Sequence, residues 1–428
     1  MEENHVPIPE GWKSYVGNEI LNVQGGYAFK SDDYKDEGVL LVRIGNIGNG
    51  NFIFKDVIYI PNRFQLTHSN FQLWKGDVLM GLTGDLGKIC ILRNGNFPYF
   101  LNQRVGRFIL TDKIDNEYLF YLISSSFIQS KFDAFFAGGA QKNISPKQIE
   151  SINYLIPESK VEQRLIASIL SKLDEAITQT EKLIDKYKKI KEGLMHDLLT
   201  RGIDEQGNIR SEDTHKFKDS PLGRIPEEWE CCEIGNACYV TKLSGFEFTK
   251  YMEYRDDGEI IAIRAMNIKN EQLILDDVQR ISKKVSEFLV RSKLHSGDIL
   301  ITYIGAYIGD ILQIKEDNKY HLAPNVAKIV GGPKLTPDFL EFMMRSTKVQ
   351  RFIKSLVTTT ANPSLTMGQI RTVYIIYPKD KKEQDRISKR LSTLNILINK
   401  TSSELEKLFL QKSGLMHDLL TGKVRVKI

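Results

Sequence analysis

His196 and His417 each precede an aspartate, Asp197 and Asp418, and a His-Asp pair can orient an imidazole for proton transfer. Neighbouring helix positions point apart, however, and no nucleophile is placed to use either pair, so they read as polar residues near helix ends. Gly84-x-x-Gly87-Lys88 resembles a phosphate-cradling loop, but Ile89 stands where Ser or Thr should hold magnesium. Phe136-Ala137-Gly138-Gly139-Ala140 resembles a methyl-donor loop, yet it follows a helical pattern, not a strand. Cys90, Cys231, Cys232 and Cys238 offer neither a disulfide framework nor a metal spacing and read as reduced structural thiols. The chain therefore presents no catalytic, metal or cofactor constellation. A protein that recognises or scaffolds is expected, not an enzyme.

Recognition has better support. Arg, Asn and Gln pair bidentately with base edges, while Lys and Ser reach phosphates. In the first half the candidates are Tyr27, Phe29 and Lys30 in a Gly-rich turn, Arg43 and Asn46 at a strand end, Asn102-Gln103-Arg104 at the start of another, and Gln141-Lys142-Asn143 in a polar loop. The second half offers Phe246, Lys250, Arg264, Asn267, Tyr303, Tyr307, Asn325, Asn362 and Ser364. For any one of these an ordinary turn or surface role competes, and for Arg43 and Arg264 so does structural ion pairing.

The elements that must position these residues are duplicated. GLMHDLLT occurs at Gly193–Thr200 and again at Gly414–Thr421, an offset of 414 − 193 = 221 residues. Behind each copy runs a heptad seam: Ile166, Leu170, Leu173, Ile177, Thr180, Ile184, Tyr187, Lys191, Leu194 and Leu198, then Ile387, Leu391, Leu394, Ile398, Thr401, Leu405, Leu408, Lys412, Leu415 and Leu419. Ser159-x-x-Glu162 and Asp380-x-x-Glu383 resemble capping boxes at the starts, and Gly202 and Gly422 mark the stops. A parallel pair would set Lys191 against Lys412, whereas antiparallel pairing sets each against a leucine with its ammonium in water. An antiparallel coiled coil is expected, about 50 Å long at ~1.5 Å per residue, with a pseudo-two-fold axis and the domains at opposite ends. Met195 and Leu199, with Met416 and Leu420, form an apolar pair beside the seam that could meet a partner, unless the domains cover it.

The intervening segments carry short β-rich runs, at 39–44, 52–60, 77–80, 88–92 and 104–110, interrupted by one helix at about 116–135 and closed by a strand at 152–156. Residues 225–229 restart the pattern of 8–12, with a helix at about 337–356 and a strand at 372–377. The fold class is α+β: two similar globular domains separated by two long helices, an internal repeat. Boundaries fall at 1–157 for the first domain, 158–203 for its helix, 204–224 for a polar linker, 225–378 for the second domain, and 379–428 for the second helix and tail. The scaffold repeats while the loops differ, which suggests two sites doing one kind of job on different targets.

A net charge of +5 and a pI near 8.7 permit nucleic-acid binding without requiring it. Residues 1–10 lack the apolar core of a signal peptide, and no run is long and apolar enough to cross a bilayer, so a cytoplasmic location is expected.

Taken in order, the duplicated plan, the turns Gly76-Asp77-Val78-Leu79 and Gly297-Asp298-Ile299-Leu300, the Gln141-Lys142-Asn143-Ile144-Ser145 loop, the Glu162-Gln163 and Glu383-Gln384 helix starts and the GLMHDLLT repeats resemble the specificity subunit of type I restriction-modification systems. The resemblance covers essentially the whole chain. It implies two target-recognition domains, each reading one half of a split, asymmetric double-stranded DNA site. It also implies spacer helices that fix the gap and dock two methyltransferase subunits, which carry S-adenosylmethionine and methylate adenine, with restriction/translocase subunits joining that core. The second half departs from the loop pattern, with Asn362-Pro363-Ser364-Leu365-Thr366 where the first has Gln141 to Ser145. A non-catalytic coiled-coil scaffold that binds proteins through its two domains is the alternative.

Overall fold

The computed structural model of the chain describes residues 8–84, 87–136, 143–269, 271–357 and 363–427. Two compact units emerge, Met1–Glu181 with Ser403–Ile428, and Lys182–Ser402. Each therefore combines one domain with the beginning of one long helix and the end of the other.

In the first unit a four-stranded antiparallel sheet runs in the order Leu21–Gly25, Val105–Leu110, Val78–Gly81, Ile89–Ile91. A second sheet orders Ile58–Ile60, Val39–Val42, Tyr99–Leu101 and Gln72–Leu73, with the two central strands parallel. The second unit repeats the first sheet as Cys238–Lys242, Val326–Gly331, Ile299–Thr302, Ile311–Gln313. Its second sheet is Gln279–Ile281, Ile260–Ile263, Tyr320–Leu322. Each domain is closed by an antiparallel pair joining its ends, Trp12–Val16 to Asn153–Pro157 and Trp229–Glu233 to Tyr374–Pro378. That closure delivers the chain directly into the long helix.

Three expectations change. The helix at 116–135 is two, Asn116–Ser124 and Ser126–Asp133, and that at 337–356 is Pro337–Arg345 and Thr347–Leu356. Ser125 and Ser346 break them because both adopt extended backbone, and Ser346 then caps the second helix by accepting from the Val349 amide. Of the run 52–60 only Ile58–Ile60 is a strand. The linker 204–224 carries short structure of its own: Ile203 bridges Ile209, Phe217–Lys218 pairs with Ile225–Pro226, and Arg210 and Leu222 are buried.

The long helices span Lys160–Leu198 and Lys381–Leu420. Every seam position named above is buried or half-buried. In the first unit Ile166, Ala167 and Leu170 share a core with Leu419 and Leu420. In the second, Ile387 and Leu391 share one with Leu198 and Leu199. The start of each helix thus meets the end of the other, which is antiparallel order within each unit; each of these leucines and isoleucines contributes roughly 1.5–3 kcal/mol by leaving water. The ammonium groups do not end in water: Lys412 Nζ lies 2.5 Å from Asp174 and Lys191 Nζ 2.7 Å from Glu271. Leu199 and Leu420 are 1% exposed, so the apolar pair beside the seam is no free face. Only Met195 and Met416 keep partial exposure, at the edge of the same cores.

The helix starts are welded to the domains by their Glu-Gln pairs. Gln163 donates to the carbonyls of Lys113 and Pro157 and accepts from the Asp115 amide; Gln384 donates to Lys334 and Pro378 and accepts from Thr336. The glutamates do not close reciprocal capping boxes. Glu162 instead receives the Trp12 indole N–H at 3.3 Å and the Arg425 guanidinium at 2.6 and 2.8 Å. Glu383 receives Trp229 at 3.3 Å and Arg210 at 2.5 and 3.0 Å. Each buried carboxylate is thereby satisfied by charge-assisted, bidentate bonds.

Candidate nucleic-acid interface

Beyond the strand Val78–Gly81 the chain passes through Leu82, whose amide donates to the Arg104 carbonyl and whose carbonyl accepts from the Ile144 amide, both at 3.0 Å. Tyr27 donates to the Leu101 carbonyl and accepts from the Gln103 amide, again at 3.0 Å. Four segments, around 27, 82, 103 and 144, are therefore tied by backbone bonds at one end of the sheet. Gly26 is required there, since a Cβ would lie 2.2 Å from the Asn102 carbonyl oxygen. Lys30, Gln103, Arg104 and Asn143 are exposed at this junction. Tyr27 is 40% exposed and packs edge-on against His68 at 4.4 Å and Phe29 at 4.9 Å.

The second unit repeats the junction with other side chains. Tyr303 donates to the Asn325 carbonyl at 3.0 Å and accepts from the Leu365 amide at 2.9 Å. Ile304 bridges Ser364 as Thr83 bridges Asn143. Asn325 is exposed with φ at 71°, and Lys242 stands 5.1 Å from the Tyr303 ring. Lys269 approaches the Tyr307 ring at 6.0 Å. On the helix Gly245–Tyr251, Phe246 is 64% exposed with Lys250 5.1 Å from its ring.

Other candidates are committed to the fold. Phe29 is buried among Phe64 and Phe100, and Asn102 is buried in its turn. The Asn46 side chain accepts from the Arg43 amide and donates to the carbonyls of Ile53 and Lys55; Asn267 accepts from Arg264 and donates to Ile274 and Asp277. Arg43 donates to the Asp56 carbonyl at 2.7 Å, and Arg264 donates to the Asp277 carbonyl at 2.8 Å and pairs with its carboxylate at 3.0 Å. These four shape loops instead of projecting from them. Tyr303 is also 6% exposed. Gln141, Lys142 and Asn362 lie outside the described residues.

Sequence reading missed His68, Lys242, Lys269, Tyr251 and Phe288. Lys242 and Lys269 could have been found by looking for lysines interleaved with aromatics. Tyr251 and Phe288, 5.0 Å apart, come from segments with no shared pattern.

For chemistry the structure offers little purchase. His196 Nδ1 lies 3.2 Å from Asp197, and the hollow beside it is lined by Ser211, Glu212, Phe217, Arg224 and Lys348, with no cysteine among them and no serine bonded to the imidazole. Among the described residues no three His, Cys, Asp or Glu gather to hold a metal ion. Burial pushes the Cys90 and Cys238 thiols up to about 12, which keeps both protonated. No helix among the described residues is long and apolar enough to cross a membrane.

Comparison with known proteins identifies the family. A family profile described as the type I restriction modification DNA specificity domain matches residues 9–190 and 226–407. A putative MjaX type I restriction enzyme specificity subunit of Methanocaldococcus jannaschii is 28% identical over 431 residues, covering 98% of this chain and 95% of that one. The EcoBI specificity subunit of Escherichia coli is 24% identical, covering 98% and 86%. Among solved structures, the S subunit of a type I restriction-modification system from M. genitalium superposes with a TM-score of 0.59 at 14% identity, covering 100% of this chain and 99% of that one.

Proposed function

Since the chain belongs to the family of type I restriction-modification DNA specificity domains, which occurs in it twice, we propose that each sheet-end junction reads one half of a split double-stranded DNA site. The observation that carries this is the repetition of one backbone junction, at Leu82 and again at Tyr303, beneath different exposed side chains. A common frame with different contact groups suits two half-sites of different sequence. In the first domain the readers are Tyr27, Lys30, Gln103, Arg104 and Asn143, with Gln141 and Lys142, which precede Asn143 in the sequence. In the second they are Phe246, Lys250, Tyr307, Asn325 and Ser364, with Asn362. Asn46, Asn267, Arg43 and Arg264 act through the loops they hold.

The chain itself carries no reaction in this reading. Two methyltransferase subunits supply S-adenosylmethionine and methylate adenine, restriction/translocase subunits join them, and the paired helices set the gap. Two hollows at corresponding places, of about 240 Å³ and only about 20 Å³, mark where such docking would fall. One is lined by Ser125, Ser126, Phe127, Met416 and His417, the other by Ser346, Thr347, Lys348, Met195 and His196. Ser125 corresponds to Ser346, Phe127 to Lys348 and Met416 to Met195 at the 221-residue offset. One kind of partner seated twice would need such a pair.

Sequencing modified bases in cells that express the chain with its partners tests the proposal. One adenine motif split by a constant gap is expected; scattered methylation, or binding that ignores salt where several phosphate contacts should weaken it, would favour a protein-binding scaffold instead.

A further inference from the structure

The two seam lysines have different partners. Lys412 stays within the helix layer, on Asp174, which also accepts from the Tyr121 hydroxyl at 2.8 Å. Lys191, at the matching position, reaches the tip of the hairpin formed by Ile268–Lys269 and Gln272–Leu273, where its Nζ lies 2.7 Å from Glu271 Oε2. The same oxygen lies 3.3 Å from Arg345 Nη1, and Arg345 Nη2 donates to the carbonyls of Glu271 and Ile311 at 3.3 and 3.1 Å. Arg345 is held in turn by Glu341 at 2.9 Å, and both are buried. The counterpart of Glu271 at the 221-residue offset is Gly50, which cannot make this link.

The hairpin's other end is fixed by Asn267, and Lys269 faces Tyr307. One short element therefore connects the first long helix to the second domain's reading loops. We propose that Glu271 is a positioning residue for the second half-site: held between Lys191 and Arg345, it sets where the hairpin presents Lys269 and Tyr307. This rests on the DNA reading proposed above. Without the carboxylate, two cations face each other across a partly buried gap, and their repulsion displaces the tip.

The test uses the full chain assembled with its modification subunits, and measures methylation of DNA duplexes carrying single-base changes in either half-site. Exchanging residues 225–378 for those of a relative assigns the second half-site. A wild-type complex with no split motif would defeat the DNA reading itself. Given that motif, Glu271→Gln and Lys191→Met are expected to lower discrimination at the second half-site about ten-fold, within the range of coupling between contacting residues. Discrimination at the first half-site stays unchanged. Lys191→Arg retains most of it, and the double variant is no worse than either single one. Unchanged discrimination in Glu271→Gln, or an equal loss at both half-sites, overturns the proposal.

Discussion

Burying a carboxylate is costly unless its charge is met, and Glu162 and Glu383 are met by an arginine and a tryptophan each. The arginines come from segments that follow the other long helix, so each clasp ties one helix's start to what succeeds the other's end. Arg210→Ala is expected to destabilise the second unit by about 3–5 kcal/mol, because Glu383 then stays buried with no counter-charge. Denaturant titration of the full chain measures it. Glu383→Gln combined with Arg210→Met should recover part of the loss. His321 supplies a pH prediction. It is fully buried, its Nδ1 lies 3.0 Å from Ser286 Oγ, and burial, with Lys328 next in effect, lowers its pKa to about 4. An unfolded histidine takes its proton near 6.5, so between those values the unfolded chain binds more protons. Stability should therefore fall as pH drops from 6.5 towards 4 and level off below, by at most about 3 kcal/mol. The equivalent residue in the first domain is Phe100; in His321→Phe that slope should vanish from the stability-pH curve.

At the scale of elements, the long helices and their stops were legible because periodicity and glycine positions are local properties. Gly202 and Gly422 do adopt left-handed φ, at 66° and 73°. The helix breaks at Ser125 and Ser346 were not legible, since serine is compatible with a helix and only packing selects extended backbone there. Nor could spacing distinguish a base-reading asparagine from a loop pin. Asn46 and Asn267 look like surface residues in sequence, but both are buried, at 1% and 2% exposure. Asn267→Ala orphans the Ile274 carbonyl and the Arg264 amide and leaves the Asp277 carbonyl only the Arg264 guanidinium as donor, and is expected to cost about 2–3 kcal/mol. Thermal unfolding reads that cost, and methylation should weaken at the second half-site while the first persists.

For the whole molecule, the duplication read from the sequence is the organising fact, and each unit's antiparallel helix order agrees with the argument from Lys191 and Lys412. The reason was partly different, since carboxylates and not water receive their ammonium groups. What sequence could not supply is which segments meet at the ends of the sheets, because that depends on bonds between segments far apart in the chain. If the helices set the gap, inserting four residues after Ile177 and four after Ile398 lengthens both by ~6 Å. The methylated motif should then keep both half-sites and change only their separation; an unaltered gap would show that the helices do not set it.

The pins at Asn46 and Asn267 have one more consequence. Each side chain grips its loop through main-chain groups alone: it donates to the carbonyls of Ile53 and Lys55 in one case and of Ile274 and Asp277 in the other, and accepts from the Arg43 or the Arg264 amide. A peptide carbonyl is the same whatever side chain stands beside it. The residues between the gripped points can therefore mutate without loosening the loop, so under the proposed DNA reading a lineage can explore new targets one substitution at a time while the frame stays intact.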